Sequence, residues 1–254
     1  MRPPPAPLHA FITGASRGIG AAIASAFAEA GIRVSGVSLH GGAMPDGAPV
    51  GACDVRDAAA VCAAMEGART QHGPIHILVN NAGQAHSAPF SRTDASALDH
   101  MLDINLKSAW HCTQAALPDM RAIGWGRIIN VASTAGLAGY AYTSAYCAAK
   151  HGLVGLTRAL ATEFAGNPAT TGITVNALCP GFTDTDLVRS ATATIAAHTG
   201  RSEADSLQAL AAHNPQGRLI EPEEVAATAL WLCSPHSLAI TGQSISISSG
   251  EIQS

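Results

Sequence analysis

Short apolar runs and longer alanine-rich segments alternate along most of the chain. Within the longer segments, apolar residues repeat with the spacing of a helix, whereas the short runs have the length of strands. Strands that alternate with helices favour a mostly parallel sheet with helices on both faces. The third predicted helix should break near Pro118. The pattern predicts seven strands at 8–13, 32–37, 50–53, 75–80, 127–133, 173–178 and 243–247, and helices at 18–30, 57–72, 95–123, 144–165 and 222–233.

Three segments interrupt this alternation. The proline-rich start, residues 1–7, is expected to be a flexible lead before a single domain at 8–254. Residues 39–49 lack helical character and are predicted to loop directly between two strands. The long polar segment at 183–215 contains helical patches and is a candidate substrate lid.

The composition limits the classes of partner. Of the 254 residues, 47% are hydrophobic and 13% are charged, which supports a sizeable core. The net charge is −4 and aromatic residues make up only 4%, and no basic stripe is present, so we expect neither nucleic acid nor a membrane as partner. No apolar run reaches the roughly 18 residues of a membrane span, and the start does not have the pattern of a signal peptide. A cytoplasmic protein is therefore expected.

Cysteine and histidine spacing does not indicate a metal site. The six cysteines form no C-x-x-C pair, and the eleven histidines are scattered, so no metal is expected. The cysteines are predicted to be reduced and mostly buried, as is usual in a reducing compartment.

A glycine-rich segment follows the first predicted strand and opens the first helix. Residues 13–20 read TGASRGIG. Glycines let the backbone approach a pyrophosphate, and a helix N-terminus offers free N–H groups and a positive dipole. The spacing differs from the commoner G-x-G-x-x-G, but its place between a strand and a helix favours a dinucleotide site over a simple turn.

Tyr146 and Lys150 are four residues apart in the helix predicted at 144–165. At this spacing both side chains share one helix face. Free tyrosine has a pKa of about 10, and a nearby ammonium lowers that value because it favours the phenolate. The pair is a candidate for proton transfer, although the same spacing also arises by chance in many helices.

Together these segments resemble the short-chain dehydrogenase/reductase family over residues 8–250. The resemblance implies a single-domain, Rossmann-type, doubly wound α/β fold. It also implies an NAD(P)-dependent oxidoreductase that transfers a hydride between the nicotinamide and a ketone or secondary alcohol. The motifs that carry it are Thr13-Gly14-x-x-x-Gly18-x-Gly20, Asn80-Asn81-Ala82-Gly83, Asn105, Ser133, Tyr146-x-x-x-Lys150 and Pro180-Gly181.

The resemblance also implies a set of cofactor contacts. Asp54 and Val55 would hold the adenine, although Asp54 could instead cap the next helix. Residues 180–185 would flank the nicotinamide, with Thr183 where the family commonly has an aliphatic residue. The implied contacts are Gly14, Ser16, Arg17, Gly18, Ile19, Gly20, Ser38, Asp54, Val55, Asn81, Ala82, Gly83, Tyr146, Lys150, Pro180, Gly181, Thr183 and Thr185.

The choice between NADP and NAD depends on charge at the end of the second strand. An acid there would bind the ribose 2′-hydroxyl of NAD and repel the extra phosphate of NADP. Ser38 holds this position, and Val37, Leu39 and His40 beside it carry no acid. Arg17 could reach a 2′-phosphate or could be a solvated surface residue. We therefore predict NADP, with NAD as the alternative.

Four residues receive catalytic roles from the resemblance. Tyr146 would be the general acid in reduction and the base in oxidation. Lys150 would lower the pKa of Tyr146 and hydrogen-bond the nicotinamide ribose. Ser133 would hold the carbonyl oxygen beside Tyr146. Asn105 would help to hold a water that links Lys150 to solvent, or it could be a packing residue.

The substrate is predicted only as a class. The pattern most resembles 3-oxoacyl thioester reductases and hydroxyacyl dehydrogenases, while secondary-alcohol and sugar-alcohol dehydrogenases share the motifs. Arg189, Arg201 and Arg218 in or near the lid could meet an acidic carrier or could be surface charges. Candidate pocket residues lean apolar and are Gln84, His86, Thr134, Ala135, Leu137, Tyr140, Phe182 and Leu187.

Two further functional classes of protein are compatible with these motifs. One is a nucleotide-binding sensor or scaffold without turnover, against which the complete catalytic set argues. The other is an epimerase or dehydratase, whose representatives are usually longer. Relatives are commonly homotetramers that pair the helices at 95–123 and 144–165 across one interface and the last strand across another, so a homotetramer is expected.

Overall fold

The computed structural model describes residues 6–253, apart from the side chains of residues 194, 195 and 197–199. The predicted lead, residues 1–7, therefore lies mostly outside the described part of the chain. The strands are β1 (His9–Thr13), β2 (Arg33–Ser38), β3 (Gly42–Ala43), β4 (Pro49–Ala52), β5 (Ile77–Asn80), β6 (Gly126–Val131), β7 (Ile173–Pro180) and β8 (Ser244–Ile247). The α-helices are α1 (Gly18–Glu29), α2 (Ala58–His72), α3 (Ala95–Leu102), α4 (Ser108–Ile123), α5 (Ser144–Ala165), α6 (Asp186–Thr199), α7 (Glu203–Ala211) and α8 (Pro222–Leu232).

The sheet has the strand order β3-β4-β2-β1-β5-β6-β7-β8. Its strands are parallel except for β3, which pairs antiparallel with β4. The order reverses between β1 and β5, and open sheets of this kind bind ligands at such a switch point, beyond the carboxyl ends of the strands. This arrangement confirms the predicted Rossmann-type, doubly wound, mostly parallel α/β fold in a single domain.

Helices cover both faces of the sheet, and β1 shows how. Alternate side chains of a strand point to opposite faces. Ala10 and Ile12 pack in one core with Phe27 of α1, whereas Phe11 packs in the other core with Met65 of α2. Because both faces are covered, every residue of β1, β5, β6 and β7 is buried, and each large apolar side chain contributes about 1.5–3 kcal/mol to folding.

The predicted loop at 39–49 instead contains β3, so the sheet has eight strands rather than seven. Two glycines with positive φ, Gly41 (+70°) and Gly42 (+129°), turn the chain back after β2. A tight turn then returns it to β4: the N–H of Ala48 bonds the Asp46 carboxylate, and the N–H of Met44 bonds the Ala48 carbonyl. A strand of two residues is too short to produce an apolar pattern, which is why the sequence did not indicate it.

The break in the third predicted helix is at Asp103–Lys107, not near Pro118. Residues 103–107 form a π-helical segment between α3 and α4. Pro118 lies inside α4 without ending it. Both Pro118 and Gln114, whose carbonyl loses its helical donor, are exposed, so water can satisfy that carbonyl. The π-helical segment carries the buried Asn105.

The candidate lid at 183–215 contains α6 and α7, which pack on each other. Thr183 forms an isolated parallel bridge with Ile220, which fastens the start of the segment to the chain that leads into α8. Within residues 6–253, no helix combines the length and apolar character that crossing a membrane requires. All six cysteines are free, and four of them (Cys53, Cys112, Cys179 and Cys233) are buried, as predicted.

Candidate active site

The glycine-rich segment lies where β1 ends and α1 begins. Gly14 has a φ of +68°, and its N–H bonds the carbonyl of Val37 at 2.7 Å. A Cβ on Gly20 would collide with the carbonyl oxygen of Gly14, so only glycine allows this close turn. Within the described residues, α1 begins without a side-chain cap and with no acid in its first turn. Its free N–H groups fit an anion such as the pyrophosphate of a dinucleotide.

The turn after β5 is fastened to this cradle. Asn81 Nδ2 donates to the carbonyls of Thr13 and Gly14 at 2.9 and 3.1 Å. The hydroxyl of Thr13 accepts hydrogen bonds from the N–H groups of Asn81 and Ala82, both at 3.0 Å. The fold thus brings the predicted contacts at 14–20 and 81–83 together at the switch point of the sheet.

At the position predicted to hold the adenine of the cofactor, the carboxylate of Asp54 forms an ion pair with Arg56. Its carboxylate accepts from Arg56 Nη2 at 2.6 Å and from Arg56 Nε at 2.9 Å, and this hydrogen bonding holds the pKa of Asp54 below its usual range. Asp57, not Asp54, caps α2, because the Asp57 carboxylate accepts from the N–H of Ala59. Val55 is buried in the core.

Ser38 and Arg17 are the two residues on which the predicted choice of NADP depends. Ser38, at the end of β2, donates its hydroxyl to the carbonyl of Gly41 at 2.7 Å. Arg17 is exposed and lies 3.6 Å from Asp186 at the start of α6. An exposed pair of this kind contributes little, so the guanidinium remains available to a phosphate.

The segment after β7 lies against the same cradle. Thr185 contacts the glycine loop, since a Cβ on Gly18 would lie 3.1 Å from Thr185 Cγ2. Thr183 is buried and donates its hydroxyl to the carbonyl of Gly181 at 3.0 Å. Thr183 therefore presents a satisfied hydroxyl, where the family commonly has an apolar side chain. Pro180 is the last residue of β7.

Ser133, Tyr146 and Lys150 meet beyond the carboxyl end of β6. Ser133 follows this strand by two residues, and its hydroxyl lies near enough to the phenol of Tyr146 to act on the pKa of that phenol. Lys150 is 4% exposed. Its ammonium donates to the carbonyl of Val131 at 2.9 Å and lies 5.7 Å from the centre of the Tyr146 ring. Helix α5 positions both side chains on the face that packs on the sheet.

The pKa shifts in this cluster differ from the expectation that Lys150 would lower the pKa of Tyr146. Burial raises the pKa of Tyr146 to about 12, and the nearby hydroxyl of Ser133 offsets only part of that rise. Burial also lowers the pKa of Lys150 to about 8. Desolvation disfavours the charged form of each group, and it dominates here because the Lys150 ammonium points to Val131. At neutral pH the phenol is therefore protonated and can donate a proton.

Asn105 is held by the π-helical segment beside this cluster. Its Nδ2 donates to the carbonyls of Gln84 and Met101 at 2.9 and 3.1 Å, and its Oδ1 accepts from the N–H of Gln84 at 3.3 Å. A Cβ on Gly83 would lie 2.7 Å from Asn105 Oδ1 and 3.5 Å from Lys150 Nζ. Asn105 and Lys150 thus flank the glycine that ends the Asn80–Gly83 motif.

The predicted pocket residues do not all share one environment. Tyr140 and Phe182 pack edge to face, with ring centres 6.3 Å apart, whereas Thr134 and Ala135 are buried. Leu187 is exposed. Gln84 Oε1 is 2.9 Å from His100 Nε2.

Sequence analysis missed three residues at this end of the site. His213 stacks on Phe182, with ring centres 5.2 Å apart. Asn214 is buried and donates to the Phe182 carbonyl at 3.2 Å. Glu251 accepts a hydrogen bond from the hydroxyl of Tyr140 at 2.7 Å. None belongs to a short motif, and only the fold brings them to Phe182 and Tyr140.

Comparisons with known proteins agree with this geometry. A family model described as enoyl-(acyl carrier protein) reductase matches residues 14–251. The chain is 38% identical to a D-beta-hydroxybutyrate dehydrogenase of Cupriavidus necator, over 92% of this chain and 93% of that protein. It is 38% identical to a D-threitol dehydrogenase of Mycolicibacterium smegmatis, over 95% and 91%.

A solved structure extends the likeness to three dimensions. The crystal structure of an actinorhodin polyketide ketoreductase variant with NADPH superposes with a TM-score of 0.87 and 31% identity, covering 96% of this chain and 97% of that one. These three proteins act on different substrates by name, so likeness alone leaves the substrate open. The chain belongs to the short-chain dehydrogenase/reductase family and is an NAD(P)-dependent oxidoreductase acting on the CH–OH group.

Proposed function

We propose that this protein interconverts a ketone and a secondary alcohol with NADP(H), and that a 3-oxoacyl thioester or a related neutral 3-oxo compound is the carbonyl substrate. The observation that carries the proposal is the meeting of Ser133, Tyr146 and Lys150 beside Gly83. A protein that only binds a nucleotide has no need of a serine beside a partly buried, protonated tyrosine.

Each residue of the cluster has one task in this proposal. The bound cofactor supplies or accepts the hydride. Tyr146 donates its phenolic proton to the carbonyl oxygen in reduction and takes it back in oxidation. Ser133 holds that oxygen by a hydrogen bond. Lys150 binds the nicotinamide ribose and keeps positive charge near the phenol, while Asn105 positions the backbone of Gln84 beside it.

NADP is favoured over NAD because the end of β2 carries no acid. Ser38 offers only a hydroxyl, which does not repel a 2′-phosphate. Arg17 supplies a guanidinium at the glycine loop, and its exposed partner Asp186 is readily displaced. The ketoreductase of the similar crystal structure was solved with NADPH.

Arg189 and Arg218, in or near the candidate lid, each form an ion pair with a neighbouring carboxylate. Arg189 bonds Asp184 through Nε at 3.1 Å and Nη2 at 3.2 Å. Arg218 bonds Glu224 at 2.6 and 2.8 Å. These contacts weaken the idea that Arg189 and Arg218 receive an acidic carrier. Secondary-alcohol and sugar-alcohol oxidation remains the alternative, supported by the D-threitol dehydrogenase relative.

A substrate panel tests this function. Oxidation of NADPH is followed with 3-oxoacyl thioesters, 3-oxo esters, diketones and simple ketones, and reduction of NADP is followed with secondary and sugar alcohols. We expect the highest kcat/KM for a 3-oxo compound. Binding of NADPH without turnover on any member would contradict the proposal and favour a sensor or scaffold. A homotetramer and a cytoplasmic location stay predictions, the first open to a mass measurement in solution.

A further inference from the structure

The carboxylate of Glu251 is fixed beside the segment that follows β7. Its Oε1 accepts the hydrogen bond from Tyr140 at 2.7 Å. Its Oε2 is buried and has no hydrogen-bond partner among the described residues. A Cβ on Gly181 would lie 3.2 Å from this Oε2 and 2.8 Å from Asn214 Oδ1, which is likewise buried and without a partner in the described part of the chain.

This carboxylate contacts Tyr140, one of the predicted pocket residues, and lies beside Gly181. Gly181 directly follows Pro180 at the carboxyl end of β7. Tyr140 lies four residues beyond the short 3₁₀ turn that begins at Thr134, the residue after Ser133. The ring of Tyr140 packs edge to face on the ring of Phe182. Glu251 thus connects the loop after β6 with the segment after β7.

Little positive charge balances this carboxylate. Among the described residues, the cation-capable group within 4.0 Å of Glu251 is His213, whose Nδ1 lies 4.0 Å from Oε1 and whose side chain is half exposed. An imidazole is charged only when protonated. Arg189 and Arg218 are paired with Asp184 and Glu224. A partly desolvated carboxylate without a full counter-charge exerts a negative field on nearby groups.

We propose that Glu251 determines which substrate charge is accepted: the protein selects substrates whose reacting part is neutral, such as 3-oxo esters, 3-oxoacyl thioesters or hydroxylated ketones, and discriminates against 3-oxo acids. A 3-oxo acid would bring a second carboxylate close to Glu251 within the same pocket, and like charges at short distance oppose binding. This inference rests on the proposed function. It separates this chain from its relative named for hydroxybutyrate, which is a carboxylate.

The test compares two compounds with the same carbon skeleton, acetoacetate and methyl acetoacetate. For the wild-type protein we expect kcat/KM with NADPH to be at least about tenfold higher for the ester. The variant Glu251→Gln keeps the size of the side chain and an acceptor for Tyr140 but removes the charge. In this variant we expect the ratio of kcat/KM for the ester to kcat/KM for the acid to fall by about tenfold, chiefly because kcat/KM for the acid rises. Glu223→Gln, which removes an exposed charge on α8, is the control and should leave the ratio unchanged.

A binding measurement separates this proposal from the reductase function. Dissociation constants of both compounds are measured by saturation-transfer NMR in the presence of NADP⁺, where no reduction occurs. Weaker binding of acetoacetate, relieved in Glu251→Gln, supports the charge selection even if neither compound is reduced, in which case only the proposed function fails. A wild-type preference for the acid, or a ratio unchanged in Glu251→Gln, overturns the charge selection.

Discussion

Asn105 clamps the backbone of Gln84 from both sides, with Nδ2 donating to the Gln84 carbonyl at 2.9 Å and Oδ1 accepting from its N–H at 3.3 Å. The clamp is possible because residues 103–107 are π-helical. A single π turn inside an α-helix costs stability and is frequent at functional sites. Here it turns a buried amide toward Gly83 and Lys150, which is where the proposed chemistry takes place.

Removing this clamp should weaken both fold and activity. Asn105→Ala leaves the N–H and carbonyl of Gln84 without these partners, so we expect the free energy of unfolding to fall by about 1–3 kcal/mol and kcat to fall at the same time. Asn105→Asp keeps the acceptor for the N–H but places a buried carboxylate oxygen against the carbonyls of Gln84 and Met101, so the loss of stability should be at least as large. Chemical denaturation and steady-state kinetics measure the two effects. An Asn105→Ala protein with wild-type kcat would contradict the positioning role.

The close packing of Gly20 against Gly14 predicts that a larger residue at position 20 weakens cofactor binding. A Cβ at position 20 would collide with the carbonyl of Gly14, so Gly20→Ala should distort the cradle and weaken NADPH binding by at least about tenfold. Gly67 is the matched control, because a Cβ there meets nothing within 4 Å in the middle of α2. Gly67→Ala should bind NADPH normally and gain up to about 1 kcal/mol of stability. Calorimetric titration gives the dissociation constant for NADPH of each variant. An unchanged constant in Gly20→Ala would show that the cradle tolerates the added Cβ.

Cofactor preference should depend on Arg17. If its guanidinium holds a 2′-phosphate, Arg17→Ala should raise the KM for NADPH about tenfold and leave the KM for NADH nearly unchanged. Arg121, exposed in the last turn of α4, is the control arginine, and its removal should affect neither cofactor. Equal changes in both KM values, or a wild-type protein that prefers NADH, would speak against the assignment to NADP.

The pH dependence of reduction should reflect Lys150. Burial lowers its pKa to about 8, so the side chain is positively charged below pH 8 and becomes neutral as the pH rises through that value. If the charge is needed, kcat/KM falls above about pH 8. Tyr146, with its pKa raised to about 12, stays protonated throughout this range and does not cause the fall.

The matched variant for this profile is Lys150→Arg, because arginine keeps its charge at these pH values. The kcat/KM of Lys150→Arg should be lower than that of the wild type at every pH, but it should no longer fall near pH 8. A fall that persists unchanged in Lys150→Arg would assign the titration to another group.

The sequence predicted those parts of the structure that depend on local pattern. β1, β5, β6 and β7 are buried on both faces and therefore appear as short apolar runs. The π-helical turn at Asn105 adds one residue inside a continuous helical pattern, which periodicity cannot locate. The pKa of Tyr146 depends on burial, which spacing to Lys150 does not reveal. Glu251 contacts Tyr140 across 111 positions of the chain, a pairing that only the assembled sheet creates.

The most direct test of the central claim is the turnover of Tyr146→Phe. This change removes only the phenolic hydroxyl, which lies near Ser133, and leaves the ring beside Lys150. Tyr142, exposed and four residues upstream, supplies the control Tyr142→Phe. We predict that Tyr146→Phe lowers kcat on the best substrate of the panel by at least about a hundredfold with an unchanged dissociation constant for NADPH, while Tyr142→Phe keeps wild-type kcat. Turnover by Tyr146→Phe at the wild-type rate would contradict its role as the proton donor.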